Sequence, residues 1–319
     1  MAVVEVNFRG VTQTKVASNL ADMVYQVNMK AGRTGMTFLR WNDSPQRVGI
    51  PAKTYAVTGE SLEEIEGMSI YEPETKDVSV ALDDTMLFGM EAAGNLGIES
   101  LVDGIKEKGL LVIVTERDEK IIKKYLPKAE NRYEYVLVRG KAPFDGLWRP
   151  LDLGETTHIK VLGAIARHHP KVLTYEEAKA VIPEDSMEAF EDSYKNSIHG
   201  EMIEKGIPRE KPKWPSWKEL PKYANVIPAV EISGKNPHYT KGTAKTDIPV
   251  IDKAKCTKCA LCWISCPEGC LARTPDGYYD VEEEYCSGCG MCASICPPKA
   301  IKMINLIDYK EEKLEGGQR

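Results

Sequence analysis

Cys256-Thr257-Lys258-Cys259-Ala260-Leu261-Cys262-Trp263-Ile264-Ser265-Cys266-Pro267 follows the pattern C-x2-C-x2-C-x3-C-P. Cys286-Ser287-Gly288-Cys289-Gly290-Met291-Cys292-Ala293-Ser294-Ile295-Cys296-Pro297 repeats it, each cysteine 30 residues after its counterpart. The chain has nine cysteines, all between Cys256 and Cys296. A disulfide framework usually spreads its bridges over a small secreted domain. Thiols packed into one short segment of a 319-residue chain read instead as ligands for metal or a cluster.

Two complete copies of this spacing resemble the bacterial-type ferredoxins over about 60 residues. Three cysteines on a tight loop reach three irons of a [4Fe–4S] cluster, and the fourth ligand comes from elsewhere. In the two-cluster ferredoxin pattern the last cysteine of each run serves the other cluster. The resemblance therefore implies one cluster on Cys256, Cys259, Cys262 and Cys296, and a second on Cys286, Cys289, Cys292 and Cys266. Structural zinc also takes four thiolates, but it does not explain two full copies of the ferredoxin spacing. Cys270 falls opposite Ala300 in the repeat and reads as a packing residue. Met291, Met303 and Trp263 read as packing around the clusters. Pro275-Asp276-Gly277 signals a turn between short strands at Cys270–Thr274 and Tyr278–Val281, and Ile301–Ile307 is a closing strand. The expected second domain is a small α+β unit at 249–309, followed by a polar tail at 310–319.

The first ~115 residues alternate between strand and helix patterns, which favours an α/β layered sheet. Val3–Phe8, Thr37–Trp41, Lys53–Val57, Val78–Leu82, Leu110–Val114 and Tyr133–Val138 read as strands. Val11–Lys30 and Ile98–Lys108 read as helices. A helical closing segment follows, with helices near 156–168, 174–181 and 185–204. Thr174 and Glu177 have capping-box spacing. Together these make a first domain at 1–205.

Between the domains, residues 208–249 hold seven of the nineteen prolines and carry eight Lys/Arg against four Asp/Glu. Proline removes a backbone donor and fixes φ, so a regular helix is not expected. The stretch at 206–248 reads as a solvated Pro-rich linker, or as an extended arm lying on a partner with Trp214 and Trp217 as anchors.

Composition narrows the function. The net charge of −6 argues against a broad nucleic-acid-binding surface. No apolar run approaches the ~18–20 residues needed to cross a bilayer. Glu5 interrupts the first apolar stretch and no small-residue cleavage signature follows, so no secretory leader is expected and the chain reads as cytoplasmic. There is no G-x-x-x-x-G-K-[ST] loop and no G-x-G-x-x-G in a βαβ setting, which excludes the usual nucleotide signatures. His158, His168 and His169 sit on or at the end of a helix and read as surface or capping residues rather than ligands. No complete catalytic constellation is found.

The chain as a whole resembles a fused gamma–delta subunit of the 2-oxoacid:ferredoxin oxidoreductases. The delta part is carried by Pro249-Val250-Ile251-Asp252, Lys255-Cys256, Cys262-Trp263-Ile264 and Tyr285-Cys286-Ser287-Gly288-Cys289-Gly290. The gamma part is carried by Arg9-Gly10, Pro45-Gln46-Arg47-Val48-Gly49-Ile50-Pro51 and Leu162-Gly163-Ala164. The resemblance implies a non-catalytic electron-transfer subunit in a dimer of heterotrimers. Its alpha-like and beta-like partners would hold thiamine diphosphate, Mg and one further [4Fe–4S] cluster, and soluble ferredoxin would be the acceptor. A stand-alone ferredoxin-like adaptor is the competing reading.

Gamma domains commonly carry R-G-G-Q-G after the first strand, whereas this chain has Arg9-Gly10-Val11-Thr12-Gln13-Thr14. Glycines allow close backbone approach to phosphate, so their loss bears on coenzyme A, with simple loop drift as the other explanation. Gly94-Asn95-Leu96-Gly97 reads as a turn or cap and does not replace them. Within the family, the members that oxidise oxalate release only carbon dioxide and need no coenzyme A. The fused layout and the eroded loop therefore imply their delta subunit, with pyruvate as the alternative substrate.

Overall fold

The computed structural model describes residues 1–41, 49–66, 72–91, 98–140, 153–206 and 245–316. The chain divides into a sheet unit and a cysteine-bearing unit. In chain order the sheet unit contains β1 (Ala2–Arg9), α1 (Thr14–Lys30), β2 (Thr34–Trp41), β3 (Pro51–Gly59), α2 (Leu62–Ile65), β4 (Lys76–Ala81), β5 (Met90–Glu91), β6 (Ile98–Glu99) and β7 (Ile105–Val114). It continues with α3 (Glu119–Tyr125), β8 (Tyr133–Val138), α4 (Thr157–His168), α5 (Tyr175–Lys179), α6 (Met187–Asn196) and β9 (Ile198–Met202). Seven strands form one sheet in the order β2-β3-β1-β4-β7-β8-β9. The four central strands β1, β4, β7 and β8 run parallel; β3 and β9 flank them antiparallel, and the edge strand β2, antiparallel to β3, runs in the central direction again.

Alternation along the strands sends side chains to two buried faces. Val4, Val6 and Phe8 of β1 and Leu110, Val112 and Val114 of β7 pack with Leu20, Val24 and Val27 of α1 and with Leu162 and Ile165 of α4. Leu111 and Ile113 point the other way, onto Leu101, Val102, Ile122 and Tyr135. This is the layered α/β architecture expected from the sequence.

A charged network is buried in this sheet. Glu5 on β1 pairs with Lys76 and lies 3.8 Å from Lys53, and it accepts from Tyr55 at 3.0 Å and Asn7 at 3.0 Å. Burial alone would push its carboxyl up, but Lys76 and then Lys53 outweigh it and hold the pKa at about 2.

Two sequence readings are corrected. Ile98–Lys108 is not a helix: β6 gives way to a turn, and Ile105 opens β7. Leu101, Val102 and Ile105 are buried at helix-like spacing because the turn itself packs under the sheet. Gly104 has φ +72°, and a Cβ there would lie 2.1 Å from the Glu74 carbonyl oxygen, so a right-handed helix cannot pass through it. The helix expected over 185–204 ends at Asn196. Ser197 turns to extended backbone, and Ile198–Met202 becomes the edge strand β9, paired antiparallel to β8. Its burial alternates with period two, which a helix pattern cannot give. The Thr174–Glu177 capping box is present at α5.

The second unit contains β10 (Asp247–Ile251), α7 (Leu261–Ile264), β11 (Leu271–Arg273), β12 (Tyr279–Val281), α8 (Met291–Ile295), β13 (Ile301–Asn305) and α9 (Leu306–Gly316). β10 pairs with β13 and β11 with β12, both antiparallel. The strand expected over Ile301–Ile307 stops at Asn305, and the segment read as a polar tail is helical as far as Gly316. Ahead of the expected boundary at 249, Lys245 is already buried in this unit and β10 starts at Asp247. The loop residues 45–48, Gly94–Gly97 and the Pro-rich arm at 207–244, with Trp214 and Trp217, lie outside the described residues. Among the described residues no helix is long and apolar enough to cross a membrane.

Candidate metal centres

The 30-residue repeat is built into the backbone. α7 and α8 occupy equivalent places, as do β11 and β13. Lys258 and Gly288 have φ near +60° and +69°, Ala260 and Gly290 +64° and +75°, and Gly269 and Lys299 +60° and +53°. Each pair is one repeat apart and takes the left-handed conformation in both copies. Glycine adopts it freely at one member of each pair. These kinks wrap the chain tightly, so that successive cysteines face one point.

Two cavities result. Cys256, Cys259, Cys262 and Cys296 line the first, of about 360 Å³ including its solvent-open part, with Ile251, Leu261 and Ile301 among its apolar walls. Cys266, Cys286, Cys289 and Cys292 line the second, of about 330 Å³ on the same measure. Each cavity thus gathers three cysteines of one run and the last cysteine of the other.

Backbone N–H groups point at the sulfurs: Lys258 N to Cys256 Sγ at 3.5 Å, Gly288 N to Cys286 Sγ at 3.4 Å, and Ala300 N to Cys296 Sγ at 3.3 Å. Such donors favour thiolate. Burial works against it, raising Cys262 and lifting Cys292 to about 12. A buried thiol at that value becomes a thiolate when a cation binds it. Four convergent sulfurs, apolar walls and N–H donors fit a thiolate-ligated iron–sulfur cluster in each cavity.

Cys270 is buried and also lines the second cavity, its Sγ 3.5 Å from that of Cys266. A hydrogen bond with Cys286 and then burial push the Cys270 thiol far up. The same bond, against burial, brings Cys286 down to about 7, helped by the Gly288 N–H and the Lys245 charge. Met303 packs beside the cavities as expected. Met291 lines the second cavity too, with 38% of its surface exposed, whereas Trp263 is 51% exposed on the outer face of the single turn α7.

Sequence reasoning missed Lys245. Its Nζ donates to the carbonyl oxygens of Glu283 and, at 3.3 Å, Cys286. Burial draws its pKa down. No local signal marked it, since it lies at the end of a lysine- and proline-rich stretch that reads as solvated.

His168 and His199 are held by protein groups. His168 Nε2 is 3.1 Å from Ser197 Oγ, and its ring stacks on His199 at 4.4 Å. His199 Nε2 meets Glu134 at 2.8 Å. His158 and His169 are half-buried, and burial lowers both pKa values. Arg9 is fully buried. It donates to Thr85 Oγ1 at 2.8 Å and the Gly49 carbonyl at 3.2 Å, and it lies 3.9 Å from Asp83.

Comparison with known proteins adds the wider context. Residues 249–303 match the 4Fe-4S dicluster domain family. Pyruvate synthase subunit PorD of Thermotoga maritima is 33% identical over 98 residues, spanning 31% of this chain and 95% of that protein. The chain belongs to the PorD-type, delta-subunit family of the 2-oxoacid:ferredoxin oxidoreductases. The PorD subunit of Methanothermobacter marburgensis is 47% identical over 62 residues, 19% of this chain and 72% of that one. Among solved structures, the pyruvate oxidoreductase subunit PORC of Thermotoga maritima covers 62% of this chain and 97% of its own, at 17% identity and a TM-score of 0.41. As a member of this family the chain is an electron-transfer subunit of an oxidoreductase complex, with a ferredoxin-type domain at its C-terminal end.

Proposed function

We propose that Cys256, Cys259, Cys262 and Cys296 hold one [4Fe–4S] cluster and that Cys266, Cys286, Cys289 and Cys292 hold the other. The gathering of four thiols around each cavity is the observation that carries this reading. When bound, each cluster supplies a one-electron redox centre. The protein's part is to fix four sulfurs, to donate backbone N–H groups to them and to limit water with Ile251, Leu271 and Ile301. The chain is non-catalytic by itself. Its thiamine diphosphate, Mg and third cluster belong to alpha-like and beta-like partners, and its acceptor is soluble ferredoxin.

For the substrate we infer oxalate, oxidised to two carbon dioxide molecules without coenzyme A. The loop after β1 supports this. Val11 is half-exposed, and the Arg9 guanidinium is committed inward to Thr85, Gly49 and Asp83 rather than offered to an anion. Backbone N–H groups at the start of α1 bond within the loop, Gln13 to Arg9 and Thr14 to Val11, which leaves fewer for phosphate. Pyruvate is the second reading, favoured by the pyruvate synthase subunits among the relatives.

The test is ferredoxin reduction by the purified complex on oxalate and on pyruvate, with and without coenzyme A. Oxalate turnover indifferent to coenzyme A is expected. Strict coenzyme A dependence on pyruvate, with no response to oxalate, would replace oxalate by pyruvate and leave the cluster reading intact.

A further inference from the structure

We propose that Lys245 raises the reduction potential of the cluster held by Cys266, Cys286, Cys289 and Cys292. The inference rests on the cluster reading above. Lys245 is 3% exposed, and its ammonium is bonded to the carbonyl oxygens of Glu283 and of Cys286, one of the ligands. Its stem packs against the same loop: a Cβ on Gly288 would lie 2.7 Å from Lys245 Cβ and 2.5 Å from the Asp247 carbonyl oxygen. The cation is therefore fixed against the segment that carries Cys286 and Cys289.

Reduction adds one negative charge to an already anionic cluster. A cation held close by in a region of low dielectric stabilises the reduced form more than the oxidised one. The Glu283 carboxylate, which attracts the ammonium, is shared with two other donors. Glu283 turns its side chain to Tyr309 at 2.6 Å and to Lys313 at 2.5 Å, leaving its carbonyl to Lys245.

The repeat supplies an internal comparison. Thirty residues after Lys245 stands Pro275, and thirty before Gly288 stands Lys258. Around the first cluster loop, the place of the buried ammonium is thus taken by the uncharged Pro275 turn. The nearby lysine there, Lys258, is exposed and reaches outward to the Asp276 carbonyl at 2.8 Å. Solvent screens an exposed charge far more than a buried one. The two cavities gather equivalent sets of four cysteines; the second has the buried Lys245 charge beside it, and Glu268 and Cys270 in its lining where the first has Pro298 and Ala300.

The experiment is a reductive titration of the full chain, anaerobically prepared with both clusters, as wild type, Lys245→Met, Lys245→Gln and Lys245→Arg. Each cluster is followed through the paramagnetically shifted β-protons of its own cysteines, Cys286 for one and Cys256 for the other. Removing the charge is expected to move the oxidised-to-reduced ratio of the Cys286 cluster at least tenfold towards oxidised, about 59 mV downward for one electron. The Cys256 cluster should stay in place, and arginine should restore the wild-type value. Glutamine keeps a donor without the charge, so it decides the matter if methionine disturbs folding. Unmoved potentials in an intact two-cluster chain, or equal shifts of both clusters, would overturn the role of Lys245. A preparation without iron and sulfide would instead defeat the cluster reading itself.

Discussion

Replacing Cys266 by serine separates the ligand from the thiol beside it. Cys266 lies in the cavity of Cys286, Cys289 and Cys292, so the variant should disturb that cluster and not the one formed by its own run. The damage should be partial. Cys270 Sγ lies 3.5 Å from Cys266 Sγ in the same cavity, and a change of χ1 between staggered wells moves a cysteine sulfur by about 3 Å. A rotamer change with a small backbone shift brings Cys270 to the vacated iron. The expected iron content of Cys266→Ser is close to the wild-type value of about eight per chain, with one altered spectrum. Cys266→Ser/Cys270→Ala should fall to between about four and seven, depending on whether the cluster loses one iron or disassembles. Cys296→Ser should behave like the double variant, because Ala300 stands where the repeat would need a second thiol. Cys270→Ala alone should keep both clusters. The assay is iron and sulfide per chain with Mössbauer spectra of anaerobic protein. Equal iron loss in Cys266→Ser and in the double variant would refute the stand-in. Damage confined to the Cys256 cluster in Cys266→Ser would refute the crossed ligand sets.

Three further outcomes are expected. Glu5→Gln should destabilise the sheet unit by roughly 3 kcal/mol in urea unfolding at neutral pH, because it leaves Lys76 buried without its carboxylate, while Lys53 keeps Glu99 and Glu72. The folded pKa of Glu5, about 2, lies below its ordinary 4.5, so its contribution is complete above 4.5 and fades as pH falls towards 2. Wild type should therefore lose more stability than Glu5→Gln over that window, and parallel pH profiles would contradict the network. Gly288→Ala should cost at least about 2 kcal/mol or the second cluster, since left-handed backbone and contact with the Asp247 carbonyl add together; a variant as stable as wild type would show that the loop can move away. The isolated chain, loaded with its clusters, should not oxidise any 2-oxoacid, and turnover with no other cofactor would end the subunit reading.

The sequence made the cysteine sites legible because coordination fixes spacing, and spacing survives in one dimension. The central strands were legible for a similar reason: the second half of β7, Leu110–Val114, and most of β8 are apolar runs, as strands buried on both faces must be. Ile98–Lys108 misled because a turn that packs can bury residues at helical intervals without being a helix. Ile198–Met202 misled because His199 and Glu201 give it the polarity of a helix surface, while pairing to β8 decides its state. Lys245 and Glu5 were invisible as functional or structural charges. Their burial depends on Glu283 and Lys76, about 38 and 71 residues away, and on no neighbour in the chain.

The crossing of the cysteines between the two cavities follows from strand pairing. β10 and β12 are the opening strands of the two copies, and β11 and β13 are the closing ones. Opening and closing strands pair between copies, not within them. Ile251 lies opposite Ile301, and five residues from that pair the chain reaches Cys256 on one side and Cys296 on the other. Leu271 lies opposite Val281, and the same five-residue step leads to Cys266 and Cys286. Each backbone ladder therefore delivers the first cysteine of one run and the last of the other to one cavity. Pairing within a copy would instead have left the fourth thiol of each run beside its own first three. The two cavities are thus bound to each other through both strand pairs, and losing either ladder should loosen both.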